Sequence, residues 1–137
     1  MAKSGRYSAD RKKIEEVSAA KTIEVHDCGT IFMLTGNSYT LTLPTAAAAG
    51  KGWWCKFILG ADLASGRIKI DTGANDTVEL VGANAAGGAM TLNGGTDKVE
   101  LVHSQAIKGD QVEIICDGSS LWLATALTGV AAAVVTT

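Results

Sequence analysis

The sequence predicts an all-β protein: an antiparallel β-sandwich or jelly-roll-like domain carrying an N-terminal extended arm and a short helix. Three observations lead there. From residue 22 onward the 137-residue chain is written in short runs that alternate apolar and polar residues, as strands with one buried face do. Gly, Asn, Asp or Ser clusters separate those runs, and there are 16 glycines. The first 21 residues differ in kind, being polar and rich in basic side chains, which marks an appendage to the body. The division is therefore a basic arm with a short helix at 1–21, a β domain at 22–128 and a small-residue C-terminal tail at 129–137.

Residues 1–8 have turn-prone composition and no apolar rhythm, so they are expected to take shape only on a partner. Residues 9–18 read as a short helix. Ser8 serves as N-cap, Ile14 and Val17 form an apolar stripe, and Arg11 with Glu15 and Lys12 with Glu16 stand at i,i+4 spacing. Strands are expected next at Thr22–His26 (Ile23 and Val25 inward), Ile31–Leu34 and Tyr39–Leu43, the last stopped by Pro44. Residues 45–50 form a small-residue loop or one helical turn. Further strands follow at Trp53–Leu59, Arg67–Asp71, Thr77–Val81, Met90–Leu92, Asp97–His103, Gln111–Cys116 and Leu121–Thr125. Gly82–Gly95 reads as a long small-residue loop of the kind that forms contact surfaces. Two-residue hairpin signals are scarce and most links are longer, which suits Greek-key crossovers within antiparallel sheets.

Charge narrows the function. The chain carries a net charge of -2, which excludes a generally nucleic-acid-binding protein. Its distribution is uneven: residues 1–21 hold six basic side chains against three acids, leaving the body at -5. A basic arm on an acidic body docks on an acidic surface, and Lys3, Arg6, Tyr7, Arg11, Lys12, Lys13 and Ile14 are the candidate contact residues. Three cysteines, Cys28, Cys55 and Cys116, form neither an even set nor a CxxC pair, so they are expected as reduced thiols packed like small apolar residues. His26 and Cys28 match no zinc-finger spacing, and no cofactor or metal is expected. The polar N-terminus lacks an apolar signal region, and the apolar C-terminal stretch is too short to span a bilayer, so no membrane partner is expected.

Residues 70–78, Ile-Asp-Thr-Gly-Ala-Asn-Asp-Thr-Val, resemble the active-site loop of retropepsin-like aspartic proteases. Two copies of Asp71 in a homodimer would share one proton and activate water. That family's glycine-rich flap and its second Gly-Arg signature are missing downstream of Asp71, so the segment reads as a turn between two strands. Ser104, His103 and Asp110 lack a nucleophile elbow. Asp62, Asp71, Asp76, Asp97 and Asp117 lie near turns without the ladder of a calcium loop. Adjacent Trp53 and Trp54 must face opposite ways on a strand, and the outward one, Trp54, is a candidate interface anchor; Trp122 is expected in the core.

Two longer stretches resemble small tailed-phage virion proteins. The first runs from Gly29-Thr30-Ile31-Phe32 through Tyr39-Thr40-Leu41-Thr42-Leu43-Pro44 to Ala49-Gly50-Lys51-Gly52-Trp53-Trp54-Cys55-Lys56-Phe57-Ile58. The second is Lys108-Gly109-Asp110-Gln111-Val112-Glu113-Ile114-Ile115-Cys116-Asp117-Gly118-Ser119-Ser120-Leu121-Trp122. The resemblance implies a non-enzymatic capsid decoration, or cement, protein. Such a protein is β-rich, made in the host cytoplasm, homotrimeric, and held by its arm on the outer capsid surface where major capsid subunits meet. Similar strings occur in phage fibre and adhesion modules that bind host surface glycans, which is the alternative.

Overall fold

A computed structural model describes residues 11–87 and 96–137. Among the described residues, eleven strands form two sheets. One has six strands in the order β1-β3-β5-β9-β10-β7 and the other five in the order β11-β8-β6-β4-β2. In chain order they are β1 (Lys13–Val17), β2 (Lys21–Thr22), β3 (Thr30–Leu34), β4 (Tyr39–Thr42), β5 (Trp54–Leu59), β6 (Arg67–Asp71), β7 (Thr77–Asn84), β8 (Lys98–Val102), β9 (Gln111–Cys116), β10 (Leu121–Thr128) and β11 (Val134–Thr136). A single-turn helix, α1 (Ala46–Ala49), sits before β5, and the Thr45 hydroxyl caps it by accepting from the Ala48 N–H at 3.3 Å.

The fold is all-β, but the expected all-antiparallel pairing is wrong: both sheets are mixed. Through β6 the chain crosses from one sheet to the other at every link, so each strand lies beside the strand two elements earlier and runs parallel to it. β1, β3 and β5 stack this way in the six-stranded sheet, and β2, β4 and β6 in the five-stranded one. Parallel neighbours need a long return path. Here the return path is a strand of the opposite sheet. Antiparallel strand ladders among the described residues come with β8, β9, β10 and β11, and β7 returns to the far edge beside β10, parallel again, with one isolated antiparallel bridge from Val78 to Thr96. Period-two alternation is the same in parallel and antiparallel strands with one buried face, so it carries no direction.

The helix expected over 9–18 is also corrected within the described residues, where Lys13–Val17 is an edge strand parallel to β3. The Ile14–Val17 spacing that suggested a helical stripe instead places Ile14 outward and Val17 in the core. A helix of about ten residues is marginal alone, and β3 supplies a ladder in its place. Glu15 pairs with Lys21 at 2.9 Å, linking β1 to β2, and makes no pair with Arg11. The strand expected over Thr22–His26 stops at Thr22. Val25–Asp27 is a 3₁₀ turn in which the Asp27 carboxylate accepts from the Glu24 N–H at 2.9 Å, so Ile23 is buried but Val25 is exposed. β7 extends to Asn84, shortening the loop expected over Gly82–Gly95. Residues 88–95, including the expected Met90–Leu92 strand, lie outside the described residues. The stretch 129–137, expected as a tail, is built into the fold: Ala133 and Val134 are buried, and β11 closes the five-stranded sheet against β8.

The inward faces of both sheets feed one buried cluster that includes Phe32, Leu41, Phe57, Ile70, Val112 and Trp122. Phe32 and Phe57 stack at 5.5 Å between ring centroids. Trp53 meets Trp122 edge to face at 5.6 Å and donates its indole N–H to the Val25 carbonyl at 2.7 Å. Cys55 and Cys116 are buried thiols as expected, and burial pushes both upward in pKa; Cys28 is exposed, because it follows the 3₁₀ turn at the surface.

Candidate docking surface

β1 and β2 are the edge strands of the two sheets at the same end of the molecule, and the basic leader runs into β1. One backbone side of β1 faces β3; the other faces no described strand. Arg11, Lys12, Lys13 and Ile14 are all exposed there. Lys13 lies 3.8 Å from the buried carboxylate of Asp27. The C-terminal end of β1 is anchored more firmly: the Val17 carbonyl accepts from the Thr35 N–H at 2.9 Å and from the Tyr39 hydroxyl at 3.1 Å. Burial pushes the Tyr39 phenol up to about 12, so it remains a donor at any working pH. The candidate contact residues Lys3, Arg6 and Tyr7 lie outside the described residues.

Trp54 is not part of this edge. It lies half-exposed on the outer face of the six-stranded sheet, while Trp53 is buried, so the predicted split of the pair is observed. The two outer faces differ sharply. That of the five-stranded sheet is polar and cross-linked: the buried Glu100 carboxylate is hydrogen-bonded by Arg67 and, at 3.1 Å, by the Thr137 hydroxyl, with Lys69 3.8 Å away. Lys98 bridges Asp97 at 2.9 Å and Asp71 at 3.9 Å. Burial alone would raise the Glu100 pKa, but the hydrogen bonds from Arg67 and Thr137 hold it below its ordinary value of 4.5.

A depressed carboxyl stabilises the fold above its unfolded pKa and loses that contribution as pH falls through the folded value. Arg67→Ala is therefore expected to cost about 1–2 kcal/mol at neutral pH, the part-exposed guanidinium limiting the loss. The gap from wild type should narrow once the pH drops below about 4. Urea midpoints at pH 7 and pH 3 measure this, and an equal gap at both would contradict it.

The acidic residues weighed for chemistry act as turn locks. Asp71 accepts from the Gly73 N–H at 2.8 Å, and the Thr72 hydroxyl donates to the Asp97 carbonyl at 2.9 Å. Asp76 accepts from the Ala46 N–H at 2.7 Å and from the Trp122 indole at 3.4 Å. Asp62 accepts from the Lys108 N–H at 2.8 Å. Asp110 takes the Ile107 and Gly129 N–H groups at 3.0 and 2.8 Å, and His103 Nδ1 lies 3.0 Å from the Gly66 carbonyl. Asp117 accepts from Ser119, Ser120 and Leu121, and the first and last of these lower its pKa most. Among the described residues no three His, Cys, Asp or Glu side chains gather closely enough to hold a metal ion, and no helix is long and apolar enough to cross a membrane.

The alternation read from the sequence implies one apolar and one polar face per strand, and it missed the apolar residues on the outer face of the six-stranded sheet. β10 reads Leu-Trp-Leu-Ala-Thr-Ala-Leu-Thr, apolar at both parities, and that was the available signal. No family model matches the chain, and no curated protein matches it.

Proposed function

We propose that this protein is a non-enzymatic capsid decoration, or cement, protein of a tailed bacteriophage. It is made in the host cytoplasm and binds the outer surface of the head, its basic leader reaching across neighbouring major capsid subunits. The reading rests on the sequence resemblance. The single structural observation that supports it is the edge strand: the leader ends in β1, whose outer backbone side faces no described strand and lies next to exposed Arg11, Lys12 and Lys13. Open edges accept an added strand from a partner, with main-chain hydrogen bonds giving affinity and flanking charge giving steering. Behind that edge the two sheets form a passive sandwich around one core, and self-association multiplies weak leader contacts through avidity. The shell gains stability because the bound protein favours the assembled state by mass action.

Deleting residues 2–12 spares β1 and Val17. The truncated protein is expected to keep its fold by circular dichroism and to stop co-sedimenting with tailed-phage heads that lack their own decoration protein. Co-sedimentation at wild-type occupancy would overturn the reading.

A further inference from the structure

The six-stranded sheet has an outer face unlike a solvated one. Strand register lays its outward residues in rows that cross all six strands. The central row reads Ile14, Ile31, Lys56, Glu113, Thr125, Val81, of which Ile31 is already buried within the chain. The next row runs Glu16, Met33, Ile58, Gln111, Leu127, Ala83, and another runs Trp54, Ile115, Leu123, Glu79. Large apolar side chains stand well out of the surface: Val81 is 61%, Ile14 57%, Leu127 52%, Leu123 45% and Ile115 42% exposed. Exposed apolar side chains gathered on one sheet face, around a central charged pair, mark an interaction surface.

We infer that this face packs on the same face of a second copy of the chain, about a two-fold axis parallel to the strands and above the β5–β9 seam. Charge placement argues for that occupant. The seam is the midline of the sheet, with three strands on either side, and Lys56 and Glu113 face each other directly across it. They form no ion pair within the described residues of the chain. Rotation about the axis sets Lys56 over Glu113 of the second copy and Glu113 over its Lys56, so two opposite-charge pairs form at the centre. The same rotation sets Ile14 over Val81 and Met33 over Leu127, apolar on apolar. Such a surface is self-complementary, as an isologous interface requires.

Size agrees as well. Strands about 4.8 Å apart and five to eight residues long give a face of roughly 500–700 Å², against about 800 Å² per partner in a standard interface and about 600 Å² at its lower bound. Two faces stacked about 10 Å apart repeat ordinary sheet-on-sheet packing. The outer face of the five-stranded sheet, already laced with ion pairs, offers no comparable apolar area. A paired face calls for two-fold symmetry in place of the trimer that the sequence resemblance implies. The inference is independent of phage-head binding: a dimer indifferent to heads leaves it standing, and a head-binding monomer removes it.

Analytical ultracentrifugation of the full chain is the test. Wild type is expected to dimerise at concentrations on the order of 10 µM. Lys56→Glu or Glu113→Lys alone places like charges at the centre and should weaken self-association more than about tenfold. An equimolar mixture of the two variants should dimerise again, because each supplies what the other lacks. Val81→Lys, an exposed position on edge strand β7 away from the charge pair, should also weaken self-association with an unchanged circular dichroism spectrum. Monomeric wild type at about 100 µM would overturn the inference. So would single charge variants that associate as wild type does, or a mixture no better than its components.

Discussion

Replacing Trp122 with alanine is expected to remove about 3–5 kcal/mol of stability, a large part of the 5–15 kcal/mol typical of a domain of this size. The indole is fully buried at the start of β10, between Val78 of β7 and Cys116 of β9 in register. Its ring meets Trp53 edge to face, and its N–H reaches the Asp76 carboxylate, which also holds the first N–H of α1. Alanine leaves a cavity flanked by Trp53 and strips a donor from a buried carboxylate, so two costs add. Trp122→Phe keeps most of the packing and loses the donor, which should limit its cost to about 1–2 kcal/mol. Urea unfolding of the three proteins separates these contributions. A loss below about 1 kcal/mol for Trp122→Ala would show that the two sheets do not depend on this ring.

Gly118→Ala is expected to cost about 2–4 kcal/mol through two separable effects. Gly118 has a φ of +83°, in the left-handed region that favours glycine, within the turn locked by the Asp117 carboxylate. An added Cβ would also stand 2.6 Å from the Lys51 backbone nitrogen and 2.9 Å from its Cα, and a backbone cannot swing aside as a side-chain tip can. Gly73 supplies the control. Its φ is +87°, but a Cβ added there would meet nothing within 4 Å, so Gly73→Ala should cost only about 1 kcal/mol. Thermal melts of both variants measure the difference, and equal losses would mean that Lys51 yields.

Much of the body could be read from the chain. Arg67–Asp71 and Gln111–Cys116 match β6 and β9 end to end, because Ile68 and Ile70 alternate cleanly with polar residues, and Val112 and Ile114 alternate with Gln111 and Glu113, between turn formers. The opposite orientations of Trp53 and Trp54 follow from the strand pleat alone. What failed did so for identifiable reasons. Residues 13–17 carry helix-compatible spacing, and their strand exists only because β3 offers a ladder. β11 is three residues long, too short to show a period. The candidate docking edge is legible in its charges, Arg11, Lys12 and Lys13, but that its outer backbone side faces no described strand depends on sheet order.

Alternation and turn chemistry are local, and they were enough to mark where most strands run, which residue of each enters the core and that the first residues form a charged leader. Partner, direction and order belong to the folded chain. A strand's inward pattern is satisfied equally by parallel or antiparallel neighbours, so the return of the chain through the opposite sheet decides between them. The same holds for the outer face of the six-stranded sheet. Lys56 and Glu113 stand 57 positions apart in the chain, and only register brings them together at the midline.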